Sequence, residues 1–425
     1  MKLFKPAKIL VLALSISSIF SSIPVFASDL KDNYVPEKIS PEAAMKAAAW
    51  QMISETRDGS DISEWSKDNT KLRVAKPIEV YDPSGEHVAY LVNSFNGDRA
   101  AGYVMVSAFL DDEPIIAWSD SGDGITTDKF KNALNKNKNE IKKQELVWFG
   151  GVDIGGKFIY NDNSVSMINV EGKELKEIKS KTINEKDEKY PKPVKINDNY
   201  REDWKAINKI VVGAPGQNNP SDGVSDIDPN GWEANYLSID KNYINTSVNQ
   251  KQWYYTTSGG VQQATGCSPT AGSNIMKYWS DKGYTSLVPV FQTQVVSDLR
   301  ATMGTTQSSN RTGVTSPSNI DDGLQAYARA HQRPSAISKN DNLSNFSAVK
   351  TEIDAQRPAL QSYWNQTYFG DHTVTLVGYK HYIRNFYTQD SYYVVARNNF
   401  VNDSTFNVWV KWGTWNTNVL TTFTP

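Results

Sequence analysis

Cysteine is nearly absent from this sequence, and so are an excess of one charge, internal repeats and long apolar runs beyond the N-terminal segment. Cys267 is the only cysteine among 425 residues, which excludes an internal disulfide. The 45 basic and 47 acidic residues leave a net charge of -2, so no basic excess favours nucleic acid or an anionic membrane. We therefore predict a globular protein that binds no nucleic acid and, after loss of its N-terminal segment, no membrane.

The N-terminal segment has the pattern of an export signal. Lysines within the first eight residues precede an apolar stretch from Ile9 to Phe20, which is too short to span a bilayer comfortably. Small residues at Val25 and Ala27 are typical of a cleavage site. The pattern predicts a signal peptide over residues 1–27 and a secreted, extracellular product.

The remaining residues, roughly 400, are enough for two domains. Residues 28–170 predict a small α+β domain. Its helix is expected to begin at Ser40 and Pro41, which suit a helix cap and a first turn, and alanines follow at helical spacing. Its strands are predicted at 88–92, 103–107 and 114–118, between Asn, Gly and Asp turn signals.

Residues 171–231 are predicted to form a linker or activation region, because a Lys/Glu-rich stretch is followed by one rich in Gly, Pro, Asn and Asp. Such segments are favoured sites of proteolytic nicking, although a plain solvated connector fits the composition equally well. Asp226, Asp228 and Asn230 have the spacing that opens a calcium loop, but Leu237 stands where the closing Glu belongs. We therefore predict a turn here, and no metal or cofactor in the chain.

Residues 232–425 are predicted to form the domain that carries the function, because this part is rich in Trp and Tyr and contains the only cysteine. Its first half has the patterns of helices and its second half those of strands. The helices are predicted at 268–280 and 320–331, and the strands at 359–364, 373–379, 392–397 and 407–412.

A lone cysteine in an exported chain is either a small buried side chain or a reactive group. Cys267 follows Thr265 and Gly266 and directly precedes a predicted helix that Pro269 helps to begin. The first-turn amides and the positive end of the helix dipole favour a thiolate, and they can stabilise an oxyanion on a carbonyl that the sulfur attacks. The position therefore indicates a nucleophile.

A thiolate nucleophile needs a proton acceptor, which at neutral pH is most often histidine. His331 ends a predicted helix, where histidine commonly complements the dipole, and His381 lies in a polar stretch that predicts surface. His372 opens a predicted strand after a Phe-Gly-Asp corner, where its ring can point into a cleft. His372 is therefore the predicted base.

Side-chain amides complete the predicted site. Asn398, on the strand after the one that begins with His372, can accept the ring N–H, and Asn399 is its rival if the register slips by one residue. Gln262 is the predicted amide donor to the oxyanion, with Gln263 as its rival. The predicted catalytic residues are Cys267, His372, Asn398 and Gln262.

Several segments resemble the streptopain family of cysteine peptidases, within the papain superfamily. QQATGCSPTAGSNIMKYW resembles the nucleophile helix, GDHTVTLVGY the histidine strand, and Arg-Asn-Asn-Phe the superfamily's Lys-Asn-Ser-Trp, with Phe400 as the shielding aromatic. AYLVNSFNGDRAAGYVMVSAFLDDEPIIAWSDSG is similar to the family's propeptide. The resemblance implies that Cys267 is the nucleophile, that His372 is the base and that Asn398 orients it.

The resemblance also implies an α+β fold, in which a papain-like catalytic domain with a helical half and an antiparallel β half follows a small α+β prodomain. In that family the prodomain occupies or distorts the site until it is removed. Two features depart from the family. Ser268-Pro269-Thr270 is closer to papain-like relatives that process leader peptides, and the superfamily's Gln often lies slightly further upstream than Gln262.

The sequence therefore predicts a secreted cysteine endopeptidase made as a zymogen, which acts on proteins or peptides and is inhibited by its own propeptide. A cell-wall amidase or other acyl-transfer enzyme on a papain-like fold uses the same dyad, although no wall-binding repeat is present. A non-catalytic secreted binding module is the third alternative. No coiled-coil pattern is present, so a monomer is predicted.

Overall fold

The computed structural model describes most of the chain from Pro36 onward. The described residues are 36–59, 63–67, 71–82, 85–125, 141–148, 154–169, 198–213, 224–260, 262–307, 313–342, 345–366, 368–384, 389–401, 404–413 and 417–425. The predicted signal peptide and the Lys/Glu-rich part of the predicted linker lie outside these ranges. Residues Pro36–Pro425 form one compact unit.

Helix α1, Pro41–Arg57, begins where the capping pattern predicts. The Ser40 hydroxyl accepts a hydrogen bond of 3.1 Å from the amide of Ala43, and a proline occupies the first turn. The alanines at helical spacing are buried, so this helix presents a small-residue face to the first sheet. A short helix α2, Glu64–Lys67, follows.

The first region, residues 28–170, is rich in strands in its described part. They are β1 Leu72–Ala75, β2 Ile78–Tyr81, β3 His87–Asn96, β4 Arg99–Ser107, β5 Ile115–Ser119, β6 Ile141–Trp148, β7 Ile154–Tyr160 and β8 Val165–Asn169. Antiparallel pairs join β1, β3, β4 and β5 in that order, while β2 lies on β3 and pairs in parallel with β6, which leads to β7 and β8. The three strands predicted from this region are confirmed.

Part of the predicted linker folds into regular structure. Helix α3, Asp198–Ile207, buries Trp204 and Ile207, and strands β9, Val211–Val212, and β10, Val224–Asp228, pair with each other. Strand β10 then extends the first sheet at β1. This differs from the exposed connector that the composition predicts, because two apolar residues at helical spacing are enough to bury one face of a short helix.

Short 3-10 turns lie at Pro229–Gly231, Thr285–Leu287 and Pro317–Asn319. The first is the predicted turn: the Asp228 carboxylate accepts a hydrogen bond of 2.9 Å from the amide of Asn230. An aspartate that bonds the backbone two residues ahead is a common way to begin a turn.

The second region, residues 232–425, contains four helices in its described residues and a sheet that begins with β11. The helices are α4 Cys267–Asp281, α5 Gln292–Thr302, α6 Ile320–Ala330 and α7 Phe346–Asp354. The strands are β11 Ser238–Tyr243, β12 Tyr254–Thr256, β13 Gln262–Ala264, β14 Thr306–Gln307, β15 Gly313–Val314, β16 Ile337–Asp341, β17 Ala359–Gln366, β18 Gly370–Ile383, β19 Ser391–Arg397, β20 Val408–Lys411 and β21 Thr417–Thr424. The predicted helices and strands of this region are confirmed, and the chain is a strand-rich mixture of helix and sheet.

Antiparallel pairing orders the main strands of this region as β16, β21, β17, β18, β19 and β20, with β11 also on β18. Strand β20 then pairs with β5 of the first region, where Trp409 lies opposite Trp118. The two indole rings stack with centroids 5.5 Å apart. The sheets of the two regions are therefore continuous through this pair of strands.

Helix α4 lies between a helical core and the sheet. Its apolar residues, such as Ile275, pack with Leu299 of α5 and Leu324 of α6. On the side of the sheet, Thr375 of β18 donates a hydrogen bond of 3.2 Å to the carbonyl of Ala271. This packing holds the first turn of α4 beside the beginning of β18. In the part of the chain that the structure describes, no helix is both long and apolar enough to cross a membrane.

Candidate active site

Cys267 is the first residue of helix α4, which begins one residue earlier than the sequence predicts, and its side chain is partly buried. The preceding Gly266 has φ 95°, a conformation that side-chain-bearing residues rarely adopt. A Cβ atom at Gly266 would also lie 3.2 Å from the carbonyl oxygen of Gly313. The sharp turn into the helix therefore requires glycine, and it directs the first-turn amides and the positive helix end toward the sulfur.

Arg300 of helix α5 holds the segment that leads into this turn. Its Nη1 atom donates a hydrogen bond of 3.3 Å to the carbonyl of Ala264 and another to the carbonyl of Thr265. The same guanidinium lies over the ring of Tyr255, 5.5 Å from its centroid. Sequence reasoning missed Arg300, because an arginine on a helix carries no signal of the backbone carbonyls that it reaches in the fold.

His372 lies near the beginning of strand β18 and is 6% exposed. Its Nε2 atom lies 2.6 Å from the backbone carbonyl oxygen of Asn398. A carbonyl oxygen can only accept, so Nε2 carries the proton and Nδ1 of a neutral ring keeps its lone pair. The rings of Phe369 and Phe400 lie beside the imidazole at centroid distances of 5.7 and 4.8 Å. These contacts fix both the tautomer and the plane of the ring.

His372 lies near enough to Cys267 for its imidazole to affect ionisation of the thiol. Burial opposes ionisation of the Cys267 thiol, but the charge of His372 and its hydrogen bond to the sulfur outweigh burial. Together with a bond from the backbone amide of Thr373 and one from Ser268, they lower the pKa of the thiol to about 7. A cysteine with this pKa is substantially thiolate at neutral pH, and the thiolate is the nucleophilic form.

One hydroxyl group also lies beside the sulfur, and two more lead away from it. The Oγ atom of Ser268 lies 3.9 Å from the Cys267 sulfur and 2.9 Å from the hydroxyl of Thr373. The Thr373 hydroxyl lies 2.9 Å from that of Ser362 on strand β17. Sequence reasoning did not assign these residues. The positions of Ser268 and Thr373, directly after the predicted nucleophile and base, were the available signal, whereas Ser362 is brought in only by strand pairing.

The side chain of Asn398 is fully buried and holds the loop around it. Its Oδ1 atom accepts hydrogen bonds from Lys251 Nζ at 2.7 Å and from the amide of Phe400 at 3.2 Å. Its Nδ2 atom donates to the hydroxyl of Thr405 at 2.9 Å. His372 therefore bonds the backbone carbonyl of Asn398, while the Asn398 side chain positions that backbone.

The rival, Asn399, faces helix α4. Its Oδ1 atom accepts a hydrogen bond of 3.1 Å from Asn274, and its Nδ2 atom donates one of 3.2 Å to the carbonyl of Thr373. Asn399 has φ 60°, so the chain turns at this residue after strand β19. The two asparagines thus have different contacts. Asn398 bonds the imidazole of His372, and Asn399 joins helix α4 to strand β18.

The predicted oxyanion donors lie on strand β13, which pairs with β12 before the nucleophile turn. The backbone of Gln262 is described, but its side chain is not. The Gln263 side chain accepts a hydrogen bond of 2.8 Å from the hydroxyl of Tyr255 and donates one to the side chain of Gln307. The structure thus describes the position of the first-turn amides of α4, which are candidate donors to an oxyanion.

The other two histidines of this region have structural contacts. His331 caps helix α6, as predicted: its Nδ1 atom lies 2.8 Å from the carbonyl oxygen of Tyr327. His381 is only partly exposed, since its Nε2 atom lies 2.7 Å from an Asp390 carboxylate oxygen and its ring stacks on Tyr392 with centroids 4.3 Å apart. The sequence predicted a surface position for His381, and the ring of Tyr392 explains the difference.

The first region reaches the hairpin that precedes His372. Tyr368, in the turn between β17 and β18, is hydrogen-bonded through its hydroxyl to Tyr103 of β4. Its ring also packs edge-on against Trp148 at a centroid distance of 6.0 Å, and against Phe369 at 5.0 Å. Phe369 in turn contacts the imidazole. The rings thus connect the first region to the candidate base.

The arrangement is suited to acyl transfer through a thiolate. It combines a nucleophile at a helix start, a buried imidazole with a fixed tautomer, and backbone amides near the sulfur. Among the described residues, no group of three or more His, Cys, Asp or Glu side chains is placed to hold a metal ion.

One comparison with known proteins bears on this site. Residues 245–416 match the model of the Peptidase_C39 like family, which lies in the clan of papain-like cysteine peptidases. The matched segment contains Cys267, His372 and Asn398. No curated protein matches the chain. The part of the chain that holds the thiol–imidazole pair is therefore similar to a family of cysteine peptidases, which are hydrolases, and this match supports peptidase activity.

Proposed function

We propose that this protein is a secreted cysteine endopeptidase, synthesised as an inactive precursor, with Cys267 as its nucleophile and His372 as its base. The pairing of the thiol with a nearby imidazole carries the proposal. It lies at the start of helix α4, inside the segment that matches a cysteine peptidase family. The lowered pKa of the thiol supports the same reading, because a purely structural cysteine buried in an apolar core has a raised pKa.

In the proposed reaction, the Cys267 thiolate attacks the carbonyl carbon of a peptide bond, and the first-turn amides of α4 bind the oxygen as it becomes negative. His372 holds the proton taken from the thiol and gives it to the leaving amine. A water molecule then loses a proton to His372 and hydrolyses the thioester, which restores the thiol. Asn398 orients the imidazole throughout, through its carbonyl and its buried side chain. Gln262 is proposed to assist the first-turn amides.

The precursor part of the proposal rests on the first region, residues 28–170, and on its resemblance to a propeptide. The contacts of Tyr103 and Trp148 with Tyr368 give this region a physical route to the hairpin before His372. The pairing of β5 with β20 means that removal of the region would uncover the edge of β20 and Trp409. Secretion is proposed from the lysine and apolar pattern of residues 1–27.

One experiment separates the proposal from its alternatives. The full-length precursor, before and after limited proteolysis, is treated with iodoacetamide and assayed on casein. Rapid labelling of Cys267 alone, with loss of casein hydrolysis, supports the peptidase. Rapid labelling without any casein hydrolysis points to an amidase or another acyl-transfer enzyme, and slow labelling in both forms points to a binding module.

Cys267→Ser is the control for this experiment. Since the variant lacks the only thiol in the chain, it should take up no label, hydrolyse no casein and show no self-processing. Full hydrolysis by Cys267→Ser would overturn the assignment of the nucleophile.

A further inference from the structure

We propose that Ser268 is a further catalytic residue: its hydroxyl donates a hydrogen bond to the Cys267 thiolate, and a chain of buried hydroxyls fixes its direction. This proposal rests on the proposed function, because it deepens the role of the same nucleophile. It assigns a task to the residue that directly follows the nucleophile in the sequence.

The chain of hydroxyls runs away from the sulfur into the sheet. Ser268 Oγ lies 3.9 Å from the sulfur, a reach that the large radius of sulfur permits. The hydroxyls of Thr373 and Ser362 continue the chain in steps of 2.9 Å. All three hydroxyl-bearing residues are at most 4% exposed, so solvent does not compete strongly for these bonds.

The charge of the sulfur sets the direction of the chain. A thiolate can only accept, so the Ser268 proton points at the sulfur and the Ser268 oxygen accepts from Thr373. The Thr373 oxygen in turn accepts from Ser362. Each hydroxyl then donates one bond, and consecutive hydrogen bonds of this kind polarise one another in a region of low dielectric constant. The neutral thiol does not impose this direction, so the chain favours the charged form.

The other charged or titratable groups near the sulfur lie on different elements. His372 faces it from β18, and the exposed Asp371 precedes that histidine. Lys251 lies behind Asn398, and Arg300 lies behind the turn, at the carbonyls of Ala264 and Thr265. The hydrogen bonds of the hydroxyl chain join Ser268, Thr373 and Ser362 to one another. Variants of the hydroxyls therefore leave the surrounding charges in place.

The proposed bond has two opposite effects on reactivity. It raises the thiolate fraction at a pH below the thiol's pKa of about 7, and it lowers the intrinsic nucleophilicity of each thiolate. Loss of the hydroxyl should therefore slow alkylation of Cys267 by about tenfold or more at the acidic end, since a hydrogen bond to a charged group is worth at least roughly that factor. At the alkaline end the variant should react as fast as the parent chain or slightly faster. The two rate curves should cross.

The experiment measures the rate of iodoacetamide labelling of the full-length chain across a pH series, with mass spectrometry to confirm single-site labelling. Ser268→Ala is the direct test. Thr373→Val and Thr373→Ser form a matched pair, because valine keeps the shape without the hydroxyl, whereas serine keeps the hydroxyl without the methyl group. Ser273→Ala is the control: this buried hydroxyl on α4 donates instead to the carbonyl of Thr270 at 2.8 Å.

The expected result is an alkaline shift of the curve for Ser268→Ala, a smaller one for Thr373→Val, and a curve close to the parent's for Thr373→Ser and Ser273→Ala. An unshifted curve for Ser268→Ala overturns the proposal, and so does a uniform loss of rate at every pH. If Ser268→Ala does not fold, equal curves for Thr373→Val and Thr373→Ser overturn it. Labelling does not depend on peptide hydrolysis, so an inactive peptidase with a shifted curve would reject the proposed function and keep this inference.

Discussion

The imidazole of His372 is held by a backbone atom of Asn398, whose carbonyl oxygen lies 2.6 Å from Nε2. This bond places the proton on Nε2 and leaves Nδ1 as the acceptor for the proton of Cys267. Because the carbonyl belongs to the main chain, substitution of the Asn398 side chain removes the supports of the carbonyl rather than the carbonyl itself. Substitution of the Asn398 side chain should therefore lower kcat less than substitution of His372.

His372→Ala should lower kcat by about 10²–10⁴, because it removes the proposed general base and partner of the thiolate. Asn398→Ala should lower kcat by about tenfold, since it removes hydrogen bonds to Thr405 and Phe400 that position the carbonyl. Steady-state hydrolysis of a peptide substrate measures both effects. A loss for Asn398→Ala as large as that for His372→Ala would mean that the side chain, and not the carbonyl, orients the ring.

The reactivity of Cys267 should rise as the pH increases through about 7 and then level off. Burial alone would raise the pKa of the thiol, and the charge and hydrogen bond of His372 reverse that effect. In His372→Ala the thiol stays buried but loses the imidazole that lowers its pKa. The alkylation curve should therefore move to alkaline pH. The pH dependence of iodoacetamide labelling measures the shift, and superimposable curves for the two proteins would contradict this cause.

Local patterns predict the elements of this fold well, because the signals lie within the elements themselves. Ser40 and Pro41 begin helix α1, and the Thr-Gly turn before Cys267 begins helix α4. The pairing of β5 with β20 could not be predicted in this way, because a strand's alternation indicates its buried face and not the partner at its edge. Helix α3 was missed since its few apolar residues lie within a highly polar segment.

The residues of the candidate site likewise fall into those that local patterns predict and those that only the fold brings together. Cys267 and His372 were found because each has a distinctive side chain at a boundary of an element. The main-chain carbonyl of Asn398 could not be identified as the acceptor, since every residue carries one and only the fold selects it. Arg300 and Ser362 reach the site from elements that are distant in sequence, so no local pattern indicates them.

Lys380 of β18 should contribute strongly to stability. Its Nζ atom lies 2.6 Å from Glu55 and 2.9 Å from Asp58, and the Lys380 side chain is 1% exposed. Burial opposes the charge, but the two carboxylates raise the pKa of Lys380 above its ordinary value, so the ammonium stays charged. Lys380→Met removes the cation that is paired with the buried Glu55, while Asp58 keeps Lys241 at 2.7 Å, and it should lower the free energy of unfolding by about 3–5 kcal/mol.

Lys350→Met is the matched control for this prediction. Lys350 also has two carboxylates, Asp240 and Asp354, each 3.1 Å away, but its side chain is 37% exposed. The loss of such an exposed cluster should cost about 1 kcal/mol or less. Urea unfolding of the two variants measures the difference, and equal losses would show that burial does not set the value of the Lys380 cluster.

Asp120 should make the protein less stable at alkaline pH. Its carboxylate is buried, its Oδ2 atom accepts a hydrogen bond of 3.1 Å from the amide of Glu64, and its Oδ1 atom has no hydrogen-bond partner among the described residues. Burial, reinforced by the charge of Glu55, raises the pKa of Asp120 to about 7. Its carboxyl in the unfolded chain ionises near the ordinary value of about 3.9. Between these two pH values the folded state therefore binds a proton that the unfolded state does not.

As the pH falls from about 7 toward about 4, Asp120 should add about 1.4 kcal/mol to the free energy of unfolding for each pH unit. Above about pH 7 both states are ionised, and the full cost of the buried charge remains. Asp120→Asn cannot ionise, so the difference in free energy between this variant and the parent chain should change with that slope. Asp123→Asn, which removes an exposed carboxylate nearby, is the control. Urea unfolding across this pH range measures both, and a pH-independent difference for Asp120→Asn would show that Asp120 titrates alike in the folded and unfolded chains.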